Sequence, residues 1–150
     1  MRNDKFPDTD GFDLQNFLPF LLNQAAESAS IDFQKVYKDR YGMLRTEWRV
    51  LFHLGLFGSM TAKQIGHRAK THKTKISRAV HQLENRRFLK RTRDDQDRRV
   101  EWLALTPMGE SAYRELRDIA VQYDAKLAGQ FDVDEIAILR KMLRRLAGFE

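Results

Sequence analysis

The stretch KTKISRAVHQLENRRFLKRTRDDQDRRVEWLALT, Lys73–Thr106, decides the fold. In its first part Ile76, Val80 and Leu83 recur at i, i+4 and i+7, one narrow apolar stripe that predicts an amphipathic helix over roughly His72 to Arg86. At about 100° per residue, the opposite side carries Thr74, Arg78, His81 and Asn85, flanked by Lys75, Ser77 and Gln82. Every one of these is a hydrogen-bonding residue. Two strand-like runs follow, FLKRT from Phe88 and VEWLALT from Val100. The DDQDRR segment between them has turn-forming aspartates and basic ends, so the pair reads as a hairpin with a charged tip. Alternation puts Leu103 and Leu105 on one face and Val100 and Trp102 on the other.

Upstream, Thr61 with Gln64 three residues later forms a capping-box pattern that opens a short helix. In it Ile65 and Ala69 face inward and Gly66 permits a close helix crossing. Before that, a helix is predicted from a Thr46 cap, with Trp48, Leu51, Phe52 and Leu54 apolar, ending near Gly55 or Gly58. The segment from Asn16 to Tyr41 reads as a long helix with Pro19 in its first turn and Gly42 as its stop. Its apolar spacing is uneven between Glu27 and Asp32. Downstream, Thr106-Pro107 is a cap followed by a helix-starting proline. The stripe that follows is Met108, Ala112, Leu116, Ile119, Ala120, Tyr123 and Leu127, up to Gly129. A last helix, capped by Asp132 and Glu135, is expected to bury Ile136, Leu139, Leu143 and Leu146.

A short helix, a tight turn, an amphipathic helix with a polar outer face and a basic-tipped hairpin make a winged helix-turn-helix. The predicted class is therefore mainly α with a small β-hairpin wing, in a single domain of 150 residues. Residues 46–106 form the expected DNA-binding lobe, 16–42 and 107–148 dimerisation helices, and 1–15 a polar arm. That arm lacks the basic-then-apolar order of a signal peptide, and the expected location is cytoplasmic.

Charge location points to the same lobe. The whole chain has 27 Lys and Arg against 21 Asp and Glu, whereas residues 63–99 alone hold 13 against 4. Such clustering marks a surface for a polyanion, because neutralising phosphates releases condensed counterions. The apolar stripe anchors the helix while its polar face enters a major groove about 12 Å wide. There Arg78 suits guanine and Gln82 or Asn85 adenine, while Thr74, Ser77 and His81 serve bases or phosphates. Lys73, Lys75, Arg86 and Arg87 read as phosphate contacts. On the wing Arg91, Arg93, Arg98 and Arg99 are candidate DNA contacts.

Other chemistries find less support. The chain has no cysteine, which excludes disulfides, thiolate metal sites and thiol-based sensing. Its four histidines show no metal-ligand spacing with a third ligand nearby, and no phosphate loop, nucleophile elbow or paired carboxylates suggest an enzyme. No catalytic residue, metal or cofactor is expected, and no apolar run is long enough to cross a membrane.

The run Lys73–Glu84, with FLKR at 88–91, DRR at 97–99 and LALT at 103–106, resembles the MarR family of bacterial transcription regulators. The likeness extends to TEWRVL at 46–51 and PMG at 107–109, and spans about Asn16 to Leu146. It implies homodimers on pseudo-palindromic operators, usually repressors released by small ligands. It also implies that Arg99 enters the minor groove, with Asp97 orienting it. One departure concerns the end of the reading helix: the family usually has glycine where this chain has Arg87, which leaves the wing angle open. The apolar stripes of the first, fifth and sixth helices favour pairing with a second copy over self-cover. Tyr37, Trp48, Phe52 and His53 are candidates to line a pocket for a small aromatic effector, against the simpler reading of core packing. The alternative function is a winged-helix module for protein–protein contact, against which the basic wing counts.

Overall fold

The computed structural model describes residues 11–149. Among these, six α-helices and one hairpin follow in the order α1 (Leu18–Tyr41), α2 (Arg45–Phe57), α3 (Ala62–Ala69), α4 (Lys73–Asn85), β1 (Leu89–Arg93), β2 (Glu101–Leu105), α5 (Pro107–Ala128) and α6 (Val133–Ala147). The class expected from sequence, mainly helical with a hairpin wing, is the one present. The chain divides into two units between Asp32 and Phe33, inside α1.

In the first unit Asp13 accepts the Gln15 N–H at 3.1 Å and caps a 3₁₀ turn over Leu14–Asn16. Phe12 meets Phe17 edge-on at 5.3 Å. The end of the expected polar arm is therefore folded, while its residues 1–10 lie outside the described residues. Pro19 stands in the first turn of α1, where its missing N–H costs nothing. Leu18, Leu21 and Ile31 are exposed, and α1 buries only Phe33 and Tyr37. Before Phe33 the helix holds only Phe20, Leu22, Ala29 and Ser30 half-buried and leaves the rest exposed.

The second unit carries the core. Gly42 at φ 63° ends α1 in the left-handed region, as expected, and Met43 is fully buried behind it. The next helix starts earlier than its predicted Thr46 cap. Leu44 holds the cap position and its N–H is taken by the carboxylate of Glu47, which is itself buried. The helix stops at Gly58, the later of the two expected glycines. Val50, Leu51 and Leu54 of α2, Ile65 of α3, and Ile76, Ala79, Val80 and Leu83 of α4 form the centre of the core. Leu89 and Leu103 cover it from the hairpin, and Ala112, Tyr113 and Leu116 from α5. Burial of such side chains stabilises by about 1.5–3 kcal/mol each.

The hairpin is antiparallel, with Leu89 opposite Leu105 and Arg93 opposite Glu101. The first strand is as long as predicted but begins one residue later, and the second is two residues shorter, because Phe88, Val100 and Thr106 serve the flanking turns. Met60 adds a bridge that sequence did not signal, exchanging both backbone hydrogen bonds with Leu103 at 3.1 and 2.8 Å. Gly109, in the first turn of α5, lies so close to the chain that a Cβ there would overlap the Phe88 carbonyl oxygen.

Two expectations fail here. Helix α6 does not bury its stripe: Ile136 is half-buried, and Leu139, Leu143 and Leu146 are 37 to 60% exposed. Met108, placed on the α5 stripe, is also exposed. A periodic apolar stripe says that a face needs cover, and the described residues leave that of α6 exposed. Asp124 and Arg140 join α5 to α6 by an ion pair at 2.8 Å.

Candidate nucleic-acid interface

The reading head begins at α3. Thr61 accepts from the Gln64 N–H and the Gln64 side chain accepts from the Thr61 N–H, the reciprocal cap that sequence predicted. Gly66 lets the turn come close: the Thr71 N–H donates to its carbonyl at 3.0 Å, and a Cβ at 66 would press on the Thr71 oxygen at 3.1 Å. Lys70 takes the left-handed φ of 49° that reverses the chain, and its ammonium donates to the Ala147 carbonyl at the end of α6. His72 then caps α4 through Nδ1, which accepts from the Thr74 N–H at 3.2 Å.

Helix α4 presents the face expected of it. With Ile76, Ala79, Val80 and Leu83 inside, Lys73, Thr74, Lys75, Ser77, Arg78, His81, Gln82 and Asn85 are all exposed. His81 and Asn85 stand 3.3 Å apart along it. Lys73 and Ser77 also line a cleft between α3 and α4, shared with Lys63 and His67. Arg78, Lys75 and Gln82 border a second cleft against the start of α2.

The end of α4 explains the wing. Arg87 adopts φ 63°, the conformation glycine takes most easily; its N–H donates to Glu84 and that of Phe88 to Leu83, both at 2.9 Å. This is the Schellman pattern, with Phe88 and Leu83 supplying the apolar contact that accompanies it. Thr106 fixes the exit: its hydroxyl donates to the Arg87 carbonyl at 2.6 Å, and its N–H to the Phe88 carbonyl at 3.1 Å. The root of the wing is therefore held at the end of α4 by hydrogen bonds to backbone carbonyls, despite the missing glycine.

At the wing tip Asp94 accepts from the Asp97 N–H at 3.0 Å and from the Trp102 indole at 3.3 Å. Sequence marked Asp94 only as turn-forming; here it shapes the tip. Asp97 in turn holds Arg99 three ways: one oxygen accepts from the Arg99 backbone N–H and Nε, the other from its Nη2, at 3.0 to 3.2 Å. These bonds to Arg99 hold the Asp97 carboxyl below the usual carboxylate range. The Arg99 side chain stays 91% exposed. Arg93 and Arg98 are exposed beside it.

Two arginines have partners that the sequence does not signal. Arg86, read as a phosphate contact, turns inward to the end of α1, donating to the Tyr41 carbonyl and at 2.7 Å to that of Gly42. It satisfies carbonyls that a helix C-terminus leaves open. Arg91 lies between two carboxylates, Glu84 and Glu101, each at 3.0 Å. Burial works against its charge, but the two glutamates outweigh burial and raise its pKa.

Of the four pocket candidates, three come together. The Tyr37 and Trp48 rings stack 5.9 Å apart at 9°, and Trp48 meets Phe52 at 4.8 Å. Tyr37 is buried, which raises its pKa against the opposing pull of Arg45 and Arg49. Trp48 Nε1 is buried and has no hydrogen-bond partner among the described residues. His53 points away, its Nδ1 2.6 Å from the Arg49 carbonyl and its ring 6.0 Å from Phe57. Among the described residues no three His, Asp or Glu stand together as a metal site, and no helix is long and apolar enough to cross a membrane.

Comparison with known proteins gives this geometry a family. The MarR family profile matches residues 41–100. YwoH of Bacillus subtilis, an HTH-type transcriptional regulator, is 26% identical over 113 residues, which cover 74% of this chain and 82% of that protein. The MarR family regulator SPO1453 of Silicibacter pomeroyi is 26% identical, with a TM-score of 0.75 over 91% of this chain and 99% of that one. BpsR of Bordetella bronchiseptica, 20% identical, superimposes with a TM-score of 0.82 over 92% of this chain and 98% of its own. The winged helix-turn-helix is thus that of the MarR family, and over nine-tenths of its length the chain has the fold of that family's transcriptional regulators.

Proposed function

We propose that the chain is a sequence-specific DNA-binding transcription regulator that acts in the cytoplasm as a homodimeric repressor on a pseudo-palindromic operator. The observation that carries this is the exposed polar face of α4 together with an Arg99 that Asp97 holds at the wing tip. Residues 46–106 are the DNA-binding lobe. In it Arg78 and Gln82 read base edges, with Thr74, Ser77 and His81 beside them. Lys73 and Lys75 take phosphates, as does Arg87, while Arg93 and Arg98 add charge at the wing. Arg99 enters the minor groove, where narrow A·T-rich segments concentrate negative potential.

Residues 16–42 and 107–148 serve dimerisation. The exposed Leu139, Met142, Leu143 and Leu146 of α6 support this, and so, separately, do Leu18 and Leu21 on α1. A two-fold pair covers both surfaces with the same patch from its partner and sets two α4 helices about 34 Å apart, one duplex turn. For release we propose a small aromatic ligand at Tyr37, Trp48 and Phe52. The unpartnered Trp48 Nε1 supports it, because a ligand oxygen there would satisfy a buried donor. BpsR, whose DNA binding is regulated by 6-hydroxynicotinic acid, shares the fold. A ligand that favours a spacing of the two α4 helices unsuited to DNA lowers DNA affinity by linkage. Selecting bound duplexes from a random pool tests the reading: enrichment of an inverted repeat supports it. Failure to enrich any sequence at low salt favours the protein–protein module instead.

A further inference from the structure

We propose that Arg91 contacts no DNA and instead positions the wing: it is a strut that fixes the hairpin's angle to α4, and so the reach of Arg99. The inference rests on the DNA-binding reading above. The register gives the first argument. Leu89, Arg91 and Arg93 share one face of β1, opposite Leu105, Leu103 and Glu101 of β2. Leu89 and Leu103 are buried, so this is the face turned to the core. Arg91 therefore leaves the hairpin on its inner side, where the last apolar layer ends and α4 is within reach of a long side chain.

The bonding gives the second argument. Nε of Arg91 donates to Glu84 on α4 and Nη1 to Glu101 on β2, each at 3.0 Å. One rigid planar fork thus ties two secondary-structure elements through two different carboxylates, which a lysine ammonium on its flexible stem cannot reproduce. The side chains are alike in exposure, at 36, 39 and 37%, whereas Arg99 is at 91%. Charge gives the third. The triad of one arginine and two glutamates carries a net negative charge within the most basic quarter of the chain. A phosphate approaching Arg91 also meets Glu84 and Glu101, so the cluster offers a polyanion no attraction. What the cluster supplies is geometry.

The test compares Arg91→Gln, Glu101→Gln and Arg91→Lys on a duplex selected as above, with A·T or G·C flanks, over a series of salt concentrations. A strut predicts that Arg91→Gln leaves the salt slope unchanged and brings the A·T/G·C flank ratio down to that of Arg99→Ala. It predicts no further fall when Arg91→Gln is combined with Arg99→Ala, and partial recovery with Arg91→Lys. Glu101→Gln lowers the same ratio even though it removes a negative charge. A salt slope smaller by about one with the flank ratio intact makes Arg91 a phosphate contact and overturns the proposal. So does an unchanged ratio, or a Glu101→Gln protein that binds more tightly at full discrimination. Hydrogen exchange of residues 89–105 in the free protein separates this from the parent reading. Faster exchange in both Gln variants supports the strut even if the wild type binds no duplex, and unchanged exchange rejects it.

Discussion

Replacing Arg87 by glycine should make the protein more stable. Arg87 stands at φ 63° between α4 and β1, and the left-handed conformation costs a residue with a Cβ about 1–2 kcal/mol. Glycine relieves that cost but loses about 0.4–1 kcal/mol through the greater freedom of its unfolded chain. The Schellman hydrogen bonds from 87 and 88 are made by the backbone and survive the change. The net gain is therefore roughly 0.5–1 kcal/mol, a rise in Tm of about 1–4 °C for a chain of this size. Urea unfolding at one fixed protein concentration, so that dimerisation contributes equally, should show a higher midpoint at unchanged slope. Arg87→Ala isolates the backbone term: alanine keeps the strain, so its midpoint should stay near wild type. If glycine lowers the midpoint, or alanine raises it as much as glycine does, strain at this position is not what the substitution changes. If Arg87 touches a phosphate, the more stable glycine protein also binds DNA with a salt slope smaller by about one.

Arg78→Ala should lose discrimination between operator and random duplex, at about 1–3 kcal/mol for a bidentate base contact, and equal losses on both would remove it from base reading. Arg99→Ala should weaken binding chiefly where the flanks are A·T-rich, read by anisotropy on paired duplexes. Because Arg99 depresses the Asp97 pKa, the Asp97–Arg99 pairing is fully present above the unfolded carboxylate value of about 4 and is lost as pH falls through the lower folded value. Flank preference should then be flat from pH 8 to about pH 5. Leu143→Asp places a charge on the exposed α6 stripe and should give monomers by sedimentation with an intact helical spectrum; a dimer that persists would move the interface elsewhere.

Much of this was legible in the residues. The α3 capping box, the Ile76–Val80–Leu83 stripe and the charged turn are local signals, and local signals placed α3, α4 and the hairpin. What escaped reading depends on partners distant in sequence or absent from the chain. Arg86 looks like any basic residue at a helix end until the fold brings it to carbonyls 44 and 45 positions away. Arg91 is one more positive charge until Glu84 and Glu101 close on it. Thr46 has the better side chain for a cap, yet the helix starts two residues earlier, because Glu47 reaches back to the Leu44 N–H. The α6 stripe is legible as apolar, but its exposure in the single chain is not, because periodicity reports a need for cover and says nothing of which chain supplies it.

The central claim is that two copies hold one stretch of duplex by reading heads that contact both bases and phosphates. Titrating the selected inverted repeat and a scrambled duplex of equal length across salt concentrations, with the complex mass measured in parallel, addresses it directly. The account predicts two chains per duplex, a steep fall in affinity with salt on both DNAs, and a preference for the repeat of at least about a thousandfold. One chain per duplex, or equal affinity for the two sequences, would contradict it.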